Sequence, residues 1–114
     1  MIIDPSALES YREIMGDEAD EFIADILETY LSDSINLLAT LDEALSSGSV
    51  DKFVRAAHTL KSTSATVGAQ QVSSLAANLE KRGQSENLSD LASDTVQIRK
   101  EYEQAAAQLK ELFL

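Results

Sequence analysis

Between residues 88 and 112, Leu91, Thr95, Ile98, Tyr102, Ala105, Leu109 and Leu112 follow one another in alternating steps of four and three. At 3.6 residues per turn, an α-helix gathers such positions into one stripe. A stripe with this spacing is the seam of a helical bundle. The same arithmetic recurs upstream. Over about 18–46, Phe22, Ile26 and Tyr30 form one row, and Ile23, Leu27, Ser34, Leu38, Leu41 and Leu45 form its neighbour. Over about 50–66, Phe53, Ala56, Ala57, Leu60 and Ser64 share a face that Val67 extends; over about 70–82, Val72, Leu75, Ala76 and Leu79 do the same. No segment reads as a strand.

Glycine and proline divide the chain where these runs end. Pro5 follows Asp4, the order expected of an N-cap and first helical residue, and opens a short helix over about 5–15. Asp17 and Ser49 are the N-caps expected for the next two helices. Gly16, Gly48, Gly68 and Gly83 each fall just past an apolar run, where a glycine closes a helix. Short connections between long amphipathic helices make neighbours antiparallel. The expected fold is all-α: an up-down-up-down four-helix bundle with a short extra N-terminal helix packed across one end. A long helical hairpin that dimerises would suit residues 88–112 alone, not the glycine-divided middle.

The 114 residues read as one domain, 1–114, able to bury roughly two thirds of its unfolded surface. With 5% aromatics and no Trp, the core must come from Leu, Ile, Val and Ala. The absence of Cys excludes disulfides, thiolate metal sites and cysteine nucleophiles, and a lone His excludes a histidine-rich metal site. The N-terminal residues lack a signal-peptide pattern and no run is long enough to span a membrane, so the expected location is the cytoplasm. A net charge of −11 argues against nucleic acid and anionic membranes as partners. Residues 50–82 run against that balance. They hold five of the nine basic residues (Lys52, Arg55, Lys61, Lys81, Arg82) but two of the twenty acids, so they carry +3 and the remainder −14. This is either chance clustering with cations at a helix end or a local positive field for a phosphate or an acidic partner.

That segment contains the one histidine, His58. On a helix, His58 and Lys61 share a face, flanked by the small residues Ser62 and Ala65, while Leu60, Ser64 and Val67 point elsewhere. A hydrolase triad would need a cleft and a nucleophile elbow, which this chain does not offer. GxxxxGK and GxGxxG loops are absent, so no phosphoryl can be drawn from ATP here. Asp17 to Glu21 lacks the glycine-centred loop of a calcium site. What remains is a surface imidazole that becomes covalently modified. A neutral imidazole nitrogen is nucleophilic near pH 7, and Lys61 one turn on can pair with phosphoryl oxygens.

His58-Thr59-Leu60-Lys61, with Ser64 and Gly68-Ala69 after it, resembles the signature of the histidine-containing phosphotransfer (HPt) domains of two-component phosphorelays. Residues 75–83, LAANLEKRG, resemble the family's next helix, which packs antiparallel to the phosphorylated one. The resemblance spans essentially the whole chain and implies the following roles. His58 is the phosphoacceptor through its distal ring nitrogen, and Lys61 stabilises the phosphoryl group. Ser62 stands where the family usually has Gly, needed for a partner's approach. Ser64 and Gly68 match the pattern, and Glu80 falls where many members have a Gln that supports the imidazole. Receiver domains of response regulators or hybrid kinases are the implied partners, contacted by Lys52, Arg55 and Ala65. Magnesium would come with the receiver, and no cofactor is expected of this chain, which would be a monomeric phosphocarrier without autokinase activity. Two alternatives stay open: a helical interaction module without phosphoryl chemistry, and a kinase dimerisation domain, which would need a separate ATP-binding domain.

Overall fold

The computed structural model describes residues 2–85 and 88–114. Its helices are α1 (Ser6–Glu9), α2 (Tyr11–Met15), α3 (Ala19–Ser47), α4 (Val50–Thr66), α5 (Gln70–Gln84) and α6 (Ala92–Phe113), with a 3-10 turn over Gly16–Glu18. No strand occurs among the described residues. The last four helices form the expected four-helix bundle, with α3 beside α4 and α6, and α5 beside α4 and α6. The 29 residues of α3 span about 43 Å at 1.5 Å per residue. They account for most of the molecule's 48 Å long axis.

Periodicity sets the buried faces. Ile23, Leu27, Tyr30, Ser34, Leu38 and Leu41 of α3 are buried, and every inward residue expected of α4 is. Leu45 and Leu75 are half-buried. On α6 the seam holds from Leu91 to Leu109, but Leu112 is 45% exposed. A straight helix drifts by about 20° per heptad against a strict seven-residue repeat, so three heptads carry Leu112 off the seam. Phe113 packs against the core in its place.

The N-terminal segment closes one end of the bundle. The N-cap position of α1 is Pro5 and not Asp4, but Asp4 Oδ1 accepts from the Ser6 backbone N–H at 3.0 Å just ahead of the helix. The single short helix expected over 5–15 is instead two, interrupted at Ser10, whose hydroxyl donates to the Ala7 carbonyl. Tyr11 of α2 packs edge-on against Phe22 of α3, with ring centroids 5.1 Å apart. The Asp4 N–H donates to the Gly68 carbonyl at 2.8 Å. Gly68 has φ +83°, and a Cβ there would lie 2.2 Å from the Asp4 carbonyl oxygen. Only glycine fits both the backbone angle and the approach.

Two expectations at helix ends change. Asp17 lies inside the 3-10 turn, and α3 begins after Glu18 with no side-chain cap. Gly83 does not close a helix; it lies within α5 and is buried. A Cβ on it would meet the Phe53 ring at 2.9 Å and Val54 Cγ2 at 3.1 Å. Ser49 does cap α4, accepting from the Lys52 N–H at 3.4 Å.

Candidate functional site

Phe53, Ala57 and Leu60 drive one side of α4 into the core, so His58 emerges on the opposite side with 59% of its side chain exposed. The contact between α4 and α5 completes its surroundings. Near one end, Gly83 lets α5 lie directly on Phe53 and Val54. Near the other, the Ser73 hydroxyl donates to the Lys61 carbonyl at 2.9 Å. Between these two points α5 presents Glu80 to α4, with 15% of its side chain exposed.

Glu80 serves two partners with separate oxygens. Its Oε2 is 2.7 Å from His58 Nδ1, and its Oε1 accepts from Lys61 Nζ at 2.6 Å. The Lys61 hydrogen bond, with a smaller contribution from His58, holds the Glu80 carboxyl below its usual pKa despite the opposing effect of burial. Glu80 is therefore ionised at neutral pH and can only accept hydrogen bonds. It follows that Nδ1 carries the proton and donates it to Glu80, so in the neutral ring the Nε2 lone pair is free and points away from α5. Such a ring can accept an electrophile at Nε2, and the positive charge that develops would lie against a fixed carboxylate.

The structure brings His58, Lys61 and Glu80 together, and Ser62 and Ala65 lie exposed on the same side of α4 as small side chains. Ser64 is not among them: it is buried, with its hydroxyl 2.8 Å from the Tyr30 phenol. Burial pushes the pKa of that phenol up to about 12. Gly68 is likewise remote, holding the N-terminal segment at the α4–α5 turn. Lys52 and Arg55 sit one to two turns before His58, on the side facing α3. The expected positive field is smaller than the charge count suggests, since Lys61 pairs with Glu80, Arg55 with Asp51 and Arg82 with Asp94. Ser73 had no legible role in the sequence and Gly83 read as a helix end, because each acts on a residue of another helix.

The comparisons with known proteins show a family and a fold. The Hpt domain family model matches residues 25–108. Over 105 residues the chain is 24% identical to histidine-containing phosphotransfer protein 2 of Arabidopsis thaliana, covering 90% of this chain and 67% of that protein. Its fold is similar to the crystal structure of histidine-containing phosphotransfer protein B (HptB) of Pseudomonas aeruginosa PAO1, with a TM-score of 0.84 and 25% identity, covering 96% of this chain and 92% of that one. The chain thus belongs to the Hpt domain family, and with it to the phosphocarriers of phosphorelays.

Proposed function

We propose that His58 accepts a phosphoryl group from the aspartyl phosphate of one receiver domain and passes it to another. The observation that carries this reading is the His58 ring itself, held at Nδ1 by Glu80 with Nε2 turned outward. Nε2 attacks phosphorus in line, forming the N–P bond as the bond to the aspartyl oxygen breaks and the carboxylate leaves. The ring takes up positive charge and keeps its Nδ1 proton, which Glu80 continues to accept. Lys61 moves from Glu80 to the incoming phosphoryl oxygens, a stronger anionic partner for its ammonium. Transfer to the second receiver reverses these steps. Magnesium is held by the receiver, and this chain contributes position and charge. It works as a monomer in the cytoplasm, and its net charge of −11 disfavours nucleic acid and anionic membranes as partners.

The test is phosphoryl transfer from a kinase-loaded receiver domain to wild type and to His58→Gln. An acid-labile, base-stable label on wild type and none on the variant is expected. Because His58 is exposed, the variant should keep its helical circular dichroism. Labelling of folded His58→Gln would sink the assignment. A folded wild type that takes no label from any of several receivers would favour the interaction module instead.

A further inference from the structure

Two cations flank His58 along α4, one turn away in either direction. Lys61 follows it by three residues and Arg55 precedes it by three, so each Cβ lies about 5–6 Å from that of His58. The two are not equivalent. Lys61 lies on the side of α5, where its Nζ is 2.6 Å from Glu80 Oε1. Arg55 lies on the side of α3, at a shallow hollow that it shares with Leu37 and Thr40. Its one ion pair among the described residues is with Asp51, Nη2 to Oδ2 at 3.1 Å, and the two side chains are 79% and 71% exposed. An ion pair in so much water contributes little to stability and is readily exchanged.

The orientation of the imidazole favours Arg55. Nδ1 is held on Glu80 of α5, so Nε2 faces the other way. Helical side chains lean over the turn that precedes them, and the turn before His58 is the one that carries Arg55. A phosphoryl group on Nε2 therefore comes within reach of the long guanidinium arm, whereas Lys61 must loosen its hold on Glu80 to meet it. The chemistry agrees with the placement. A guanidinium can give two parallel N–H···O bonds to a phosphoryl group, and a phosphoryl dianion is a stronger partner than the single Asp51 carboxylate oxygen.

Resting on the phosphotransfer reading above, we propose that Arg55 is a phosphoryl ligand of phosphorylated His58: its guanidinium leaves Asp51 and takes two phosphoryl oxygens, and Asp51 holds it in waiting until then. The consequence is a longer-lived phosphohistidine. Hydrolysis forms a bond from a water oxygen to phosphorus as the N–P bond breaks, returns the electron pair to Nε2 and releases dihydrogen phosphate. The phosphoryl oxygens carry the charge of a dianion beforehand, and a charge closer to that of a monoanion in the loose, metaphosphate-like transition state. A cation on those oxygens is bound more tightly before the reaction than during it, so it slows loss to water.

The experiment loads His58 with phosphoramidate, which needs no receiver, and follows the phosphoprotein by ³¹P NMR. Wild type is compared with Arg55→Gln, Arg55→Lys, Asp51→Asn and the double variant Asp51→Asn/Arg55→Gln. Both positions are exposed, so each variant should keep its helical circular dichroism. Arg55→Gln should shorten the phosphohistidine lifetime by about threefold or more, and should raise the midpoint of the phosphoryl titration because the cation that favours the dianion is gone. Arg55→Lys, a point charge in place of a fork, should fall between. Asp51→Asn should lengthen the lifetime by freeing Arg55, and should lose that effect once Arg55→Gln is in place. A smaller change in Arg55→Gln, an unmoved titration, or an Asp51→Asn effect that persists without Arg55 overturns the proposal. Transfer from a loaded receiver to wild type is measured alongside. Label from the receiver with an unchanged lifetime in Arg55→Gln rejects Arg55 alone; no label on His58 from either source rejects the phosphotransfer reading and this proposal with it.

Discussion

Removing the Glu80 charge alters two side chains at once, because one carboxylate holds both the His58 ring and the Lys61 ammonium. Glu80→Gln separates charge from geometry. The amide oxygen can still accept from Nδ1–H, so the tautomer should persist in the ¹⁵N spectrum of the imidazole. The developing ring charge would then face a neutral acceptor. A charge-assisted hydrogen bond exceeds a neutral one by about 1 kcal/mol, so transfer to His58 should slow by roughly five- to tenfold. Glu80→Leu should lose the tautomer signature as well; an unchanged rate in both variants would remove Glu80 from the mechanism. Lys61→Ala should slow transfer or shorten the lifetime of the phosphohistidine, read by the decay of label. Glu80 also predicts a pH effect. Its pKa is lowered on folding from the ordinary 4.5, so its stabilising bonds are intact above 4.5 and are lost as pH falls through the lower folded value. The difference in Tm between wild type and Glu80→Gln should be constant near neutrality and shrink below pH 4.5.

At the scale of the helices, α4 and α5 are the pair on which the site depends, and Gly83 sets how closely they lie. Its position after an apolar run is the pattern of a helix end, yet α5 continues through it to Gln84. What decides its role is the Phe53 ring, 30 residues away in sequence and fully buried. In Gly83→Ala, overpacking of a buried contact, about 1–3 kcal/mol, opposes a gain of at most about 1 kcal/mol in helix propensity. A net loss is expected, lowering Tm by a few degrees. The strain falls one turn from Glu80, so the Nδ1–H signal of His58 should broaden or shift too. A higher Tm with an unmoved imidazole would show that the helices are not in limiting contact there. The Ser49 cap, by contrast, acts within its own helix and was legible without any fold. Ser49→Ala should cost about 1 kcal/mol, read from denaturant midpoints.

At the scale of the whole molecule, net charge and its placement matter more than any single pair. The arginines tie neighbouring helices together: Arg12 to Asp20, Arg82 to Asp94 and Arg99 to Asp42. Each such partly exposed pair is worth about 0–1 kcal/mol, whereas α3 carries seven acids and no Lys or Arg along its length, and the arginines of other helices meet two of those acids, Asp20 and Asp42. Self-repulsion should win, so Tm should rise as sodium chloride is raised from low to physiological concentration; a fall would mean that the inter-helix pairs dominate. The sequence alone determined the helices, the bundle and the exposure of His58, because apolar period, caps and glycines act through neighbours three or four residues apart. That reasoning also placed His58 and Lys61 on one face, a matter of helix geometry within four residues. That Glu80 joins His58 to Lys61 and that Gly83 is a packing residue came from the docking of α5 on α4. Those outcomes depend on the spacing and rotation of one helix against another. They are set by which side chains meet across 20 or more residues of chain, and no local period records that.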